Sequence, residues 1–136
     1  FMNDLEKAKE IFEKENCTLV LVKGESIIKS KEHGLSKLVE LIDKDEDLTD
    51  YSVCDNVCGR AASFLYVLLG VKEVYANTMA KLSIQILDRA EIKYSANAFV
   101  ETLLDSENKT DKMELAVLRS GTPLKAFEDI KKELSV

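Results

Sequence analysis

The spacing of hydrophobic positions changes repeatedly along this chain, and each change predicts a new element. Leu5, Ala8, Ile11 and Phe12 recur at helical spacing over residues 3–15, and Asn3 stands where an N-cap belongs. Cys17 to Val22 is almost continuously apolar and β-branched, the pattern of a strand covered on both faces. Lys23-Gly24-Glu25 turns the chain, and Ser26 to Ser30 returns as the second strand of a hairpin. His33-Gly34 breaks the pattern, and Leu35, Leu38, Val39, Leu41 and Ile42 then form the stripe of an amphipathic helix. The acidic run Asp43-Lys44-Asp45-Glu46-Asp47 ends it and reads as a solvated loop rather than a metal site.

Strands and helices then alternate. Tyr51 to Cys54 is a short strand, and Asp55 falls where a helix begins, because residues 56–69 are rich in alanine and leucine. A helix apolar on most sides is buried, and Gly70 suits its C′ position. Residues 71–76 form a strand, Ala80 to Leu87 a helix closing near Ala90, and Ile92 to Ala96 another strand. Phe99 to Leu104 predicts a short helical turn and residues 106–111 a polar loop. Residues 113–118 and 124–134 close the chain as helices, with Thr122 as cap and Pro123 in the first turn of the last. The order α-β-β-α-β-α-β-α-β-α-α predicts a single α/β domain over residues 2–136. Its architecture is a three-layer α/β/α stack on a mixed sheet of about five strands, parallel in the middle and antiparallel at the hairpin.

Composition narrows the partners. The chain has 136 residues and a net charge of −6, which disfavours binding extended nucleic acid through its phosphates. No run approaches the roughly 20 apolar residues of a membrane span, and the charged start lacks the apolar core of a signal peptide. Phe1 ahead of Met2 is expected to be a tag remnant, with Met2 the natural start. Three cysteines in or near core elements read as reduced thiols in a cytoplasmic protein.

Several segments carry a resemblance over about residues 17–134. They are Leu19-Val20-Leu21-Val22 with its hairpin, Asp55-x-Val57-x-Gly59-Arg60-Ala61-Ala62, Val74-Tyr75-Ala76-Asn77 and a late Met113-Glu114. With the element order, they resemble the cytidine deaminase-like fold, and more closely a bacterial family of uncharacterised proteins assigned to it. That family has a lysine where this chain has Asn56, and a Cys-Pro pair where it has Asp111-Lys112. The deaminase chemistry implied by the fold needs one His or Cys, two further Cys and a nearby Glu around zinc-activated water. The first slot holds Asp55-Asn56-Val57-Cys58, and the second, Asn77-Thr78-Met79-Ala80, has no thiolate. The single histidine, His33, lies elsewhere, so no zinc or other metal site and no cofactor is expected, and zinc-dependent deamination is disfavoured.

The same two slots supply the candidate ligand-binding residues Cys54, Asp55, Asn56, Cys58, Gly59, Arg60, Asn77 and Thr78. Asp55 reads as a helix cap or as a ligand-binding or basic carboxylate. Cys58 reads as core packing or as a thiol in the first helical turn. Gly59 permits close approach of a ligand or a neighbouring helix, while Arg60 suits an anion or an acidic neighbour. Asn77 and Thr78 read as polar contacts or caps, and the two helix starts favour anions. The leading expectation is a non-deaminating binding or regulatory protein for a nucleoside- or nucleotide-like molecule. The alternatives are an enzyme of different chemistry using Asp55 and Cys58, and a homo-oligomeric interaction protein, with a homodimer as the expected form.

Overall fold

In the computed structural model, which describes residues 1–136, the elements run α1 (Asp4–Lys14), β1 (Leu19–Lys23), β2 (Ser26–Ser30), α2 (Ser36–Asp43), β3 (Ser52–Cys58), α3 (Arg60–Leu69), β4 (Glu73–Ala80), α4 (Ser83–Arg89), β5 (Lys93–Val100), α5 (Lys112–Ala116) and α6 (Pro123–Leu134). The five strands form one sheet in the order β2-β1-β3-β4-β5. β1 pairs antiparallel with both β2 and β3, while β3–β4 and β4–β5 are parallel. The parallel half is the part where helices alternate with strands, as a crossover connection requires.

The alternation of strand side chains assigns the two faces. Leu19, Leu21 and Val53 join the main core beneath α2, α3 and α6, whereas Val20, Val22 and Cys54 pack with Ala8 and Cys17 under α1. β1 is therefore buried on both sides, which its unbroken apolar run requires. α3 is the central helix, with Phe64, Leu65, Tyr66 and Leu69 all buried. It ends at Gly70, whose φ of 76° is the left-handed conformation that closes a helix C-terminus. α1 begins with a capping box, in which Asn3 Oδ1 accepts from the Glu6 N–H at 2.8 Å. Thr122 Oγ1 caps α6 by accepting from the Lys125 N–H at 3.1 Å. No helix is long and apolar enough to cross a membrane.

Three strands run further than their sequence pattern predicts. β3 continues through Asp55 to Cys58, β4 through Asn77 and Thr78 to Ala80, and β5 through Phe99 to Val100. The polar pairs Asp55-Asn56 and Asn77-Thr78 look like helix caps when read locally. Parallel pairing of Asp55 with Ala76, Val57 with Thr78 and Thr78 with Ala98 holds them extended instead. Likewise Phe99 and Val100 pair with Met79 and Ala80 rather than starting a helical turn, and Leu104 makes an isolated bridge to Thr110. Tertiary pairing has overridden a local preference in each case.

Candidate functional site

A cavity of about 510 Å³ opens between the C-terminal part of β3, the segment leading from β2 into α2, and the stretch from Val100 to Glu114. Asp55, Asn56 and Val57 lie along it, with Thr18 of the neighbouring chain segment and Thr78 of β4. Leu35, Leu38 and Leu103 add apolar wall, and Thr102, Glu32 and His33 add polar groups. Small-molecule sites commonly pair this size with mostly apolar walls and a few convergent polar groups.

Asp55 is the sharpest of those groups. It pairs with Leu19 in the β1–β3 ladder, so its side chain takes the face that carries the main core and α3. There the Tyr66 hydroxyl donates to Asp55 Oδ2 at 2.5 Å. Asp55 is half-buried, and burial pushes its carboxyl up to about 6. The Tyr66 hydroxyl and the backbone N–H groups of Val57 and Asn56 oppose that rise by favouring the charged form. Burial and the adjoining carboxylate hold the Tyr66 phenol well above its usual range, so it is a donor to Asp55 and not a second acid.

Asp55 does not cap a helix, because α3 begins after Gly59. The acid at that helix start is Glu114, which comes from α5. Its Oε1 accepts from the Arg60 N–H at 2.8 Å and its Oε2 from the Ala61 N–H at 2.9 Å. Glu114 is 8% exposed, and its carboxylate sits on the positive end of the α3 dipole. Gly59 makes this possible, since a Cβ there would overlap the Glu114 carboxylate and the Leu103 side chain. The close approach that Gly59 permits is thus made by a neighbouring element. The expectation that this helix start faces a ligand anion is corrected: an internal anion occupies it. α4 begins at Ser83 and has no side-chain cap, and neither Asn77 nor Thr78 stands at its start.

The remaining candidates divide. Asn56, Gly59 and Thr78 line the cavity with Asp55. Asn77 does not line it, but its Nδ2 donates to Asn56 Oδ1 at 3.2 Å and steadies that side chain. Cys54 lies under α1, and its thiol is pushed up to about 12 by burial and the Asp55 charge. Cys58 is fully buried at the end of β3, not in a helical turn, with Sγ 3.5 Å from Ser63 Oγ. Burial, then the nearby Asp55 charge, drives its thiol far up as well, so both surroundings favour the thiol over the thiolate at neutral pH. Arg60 points away from the cavity: Nη1 donates to the Leu118 carbonyl at 3.3 Å, and the guanidinium lies over the Phe64 ring.

The residues present do not fit zinc. No three His, Cys, Asp or Glu side chains are grouped to hold a metal ion, and the second slot consists of paired strand residues with no thiol. Tyr66 and Glu114 are what local reading left without a role. Tyr66 reads as one more apolar residue of a buried helix. Glu114 lies more than fifty positions from its partners, and its one local trace is the glycine that makes room for it.

Comparison with known proteins adds a family and a fold. The family model described as Domain of unknown function (DUF1893) matches residues 7–134. Among solved structures, the chain is similar to a DUF1893 family protein from Thermotoga maritima, at 27% identity and a TM-score of 0.83, covering 99% of this chain and 90% of that one. A looser likeness joins it to a dCMP deaminase from the cyanophage S-TIM5. The apo form gives 16% identity and a TM-score of 0.44, covering 71% of this chain and 94% of that one. The complex with dCMP and dUMP gives 15% identity and a TM-score of 0.45, covering 68% and 92%. No curated protein matches the chain.

Proposed function

The chain belongs to the DUF1893 family, and from that premise we propose that it binds a small, uncharged, nucleoside-like molecule in the cavity beside Asp55. The observation that carries this reading is Asp55 itself, a half-buried carboxylate held from behind by Tyr66 and lining a cavity of suitable size. A heterocyclic amine or a sugar hydroxyl is the natural donor to such a group. Thr18, Asn56, Thr78 and Thr102 offer further hydrogen bonds, and Leu35, Leu38 and Leu103 offer apolar surface to a flat ring.

The charge balance favours the nucleoside over the nucleotide. Glu32, Asp55, Asp111 and Glu114 line the cavity against a single lysine, Lys37, which already pairs with Glu40 at 2.9 Å. The α3 N-terminus, the usual receptor for a phosphate, is filled by Glu114. Titration calorimetry with a panel of nucleosides and their 5′-monophosphates tests the reading. At least one nucleoside is expected to bind, more tightly than its phosphate, with Asp55→Ala weakening it roughly 10- to 100-fold through loss of a charged hydrogen bond. Absence of binding by every nucleoside, or phosphates binding better, removes the proposal.

One observation favours a second reading, an enzyme in which Asp55 moves a proton. A carboxyl pushed up to about 6 changes its protonation near neutral pH, as a general acid or base requires. Any turnover of a bound nucleoside would then titrate near that value and vanish in Asp55→Asn.

A further inference from the structure

The sheet has two margins, β2 and β5, and they are built differently. β2 has five residues and carries Lys29, whose ammonium meets Glu15 at 2.6 Å. Short, charged margins are the usual defence against pairing with a stray strand. β5 has eight residues, and from Tyr94 to Val100 it contains no charge, no proline and no glycine. Ser95, Asn97, Ala98 and Phe99 are exposed along it, Phe99 at 42%. Tyr94 and Ala96, between them, pack against the main core. An open margin of this kind is a template for another strand.

The distribution of charge at the two ends of β5 identifies that strand. Lys93 opens it and Glu101 follows it directly. We propose that β5 is the interface for a second copy of this chain, paired antiparallel across a twofold axis at Asn97. That register sets Lys93 opposite Glu101 of the second copy, Tyr94 opposite Val100, Ser95 opposite Phe99, Ala96 opposite Ala98, and Asn97 opposite itself. Both ends gain an ion pair, because a twofold contact repeats each pairing. Sliding the strands by one residue sets Lys93 against Val100 or Glu101 against Tyr94, and both ion pairs are lost. Glu101 already meets Lys81 of its own chain at 2.6 Å, an exposed pair that a second cation joins at little cost. The apolar and amide groups between the ends close the ladder with nothing charged to bury.

The test is the solution mass of the full chain, by light scattering on a sizing column, with charge reversals at the two ends. The expected species is a dimer of the 15.3 kDa chain. Lys93→Glu and Glu101→Lys, each alone, set like charges opposite each other at both ends and are expected to raise the dissociation constant roughly tenfold or more. The double variant Lys93→Glu/Glu101→Lys restores opposite charges and is expected to regain the dimer. Circular dichroism confirms that these exposed substitutions leave the fold intact. A monomeric wild type, or a dimer insensitive to the single reversals, overturns the proposal, as does a double variant no better than either single.

Discussion

At the scale of single residues, Asp55 stands apart because its position costs stability. Its carboxyl rises from 3.8 to about 6 on folding, chiefly through burial. A raised folded value means the neutral form is the one the fold favours. Stability from this group is complete below the unfolded value near 4 and is lost as pH rises through about 6, a difference of about 3 kcal/mol by linkage. Asp55→Asn copies the neutral form and can still accept from the Tyr66 hydroxyl. It should match the wild type in thermal unfolding near pH 4 and melt higher by roughly 10 °C at pH 8. Equal melting temperatures at both pH values would show that Asp55 is well solvated and carries no such strain. A residue that stores instability beside a cavity is the usual trade of function against fold. Cys58 makes the contrasting case, since it sits three residues on, fully buried, and its environment suppresses the thiolate.

Among elements, the decisive contact is between α5 and α3. The five-residue α5 is too short to stand alone, yet it delivers the carboxylate that satisfies two N–H groups at the start of the most buried helix. Glu114→Ala leaves those donors unpaired and should cost roughly 2–4 kcal/mol in urea unfolding. Gly59→Ala pushes a methyl group into the same carboxylate and should cost roughly 1–3 kcal/mol. The two changes should not add: with Glu114 truncated, the two closest overlaps of the new methyl are gone and the Leu103 contact remains, so the double variant should recover at least about 1 kcal/mol of the expected sum. Strict additivity would mean that the two residues act separately. This pair also marks where local reading ends. The apolar periods of α1, β1, α3 and α6 were legible, with the caps Asn3 and Thr122, because burial and capping are set within a few residues. The reach of β3 to Cys58 and β4 to Ala80 was not, because Asp and Asn favour helix caps and only pairing with a neighbouring strand holds them extended. The candidate site followed the same rule. Asp55, Asn56 and Thr78 were visible as polar residues in an apolar frame, whereas the wall from Glu32 to Leu38 and the carboxylate of Glu114 come from distant parts of the chain.

For the whole molecule, the cavity and the open margin of the sheet share one stretch of chain. Val100 ends β5 and lines the cavity, Thr102 and Leu103 follow it along the cavity wall, and Glu101 between them is an end of the proposed strand pairing. Beyond Leu103 the segment folds on itself through the Leu104–Thr110 bridge, with the Asp111 N–H donating to the Leu103 carbonyl and the Asp105 N–H to the Lys109 carbonyl, and through Asp105 Oδ1, which accepts from the Glu107 and Lys109 N–H groups. Its hydrogen bonds run within the segment and to α5, not to the sheet, so a ligand that packs on it must order it against the rest of the wall. Pairing of β5 with a second copy fixes Glu101 and so prepays part of that ordering. Lys93 lies at the far end of β5 and does not line the cavity. The Lys93→Glu variant therefore keeps every cavity residue and, at concentrations where it is monomeric and the wild type is a dimer, should still bind a nucleoside about fivefold or more weakly than the wild-type dimer. A dimer holds two sites, so linkage requires the converse, that saturating nucleoside lowers the wild-type dimer dissociation constant by the square of that factor. Calorimetry on the two proteins and sedimentation of the wild type with and without nucleoside measure the two sides independently. Equal affinities would mean that the strand margin and the cavity work apart. A dimer shift that departs from that square would mean that Lys93→Glu disturbs the cavity by some route other than the lost pairing.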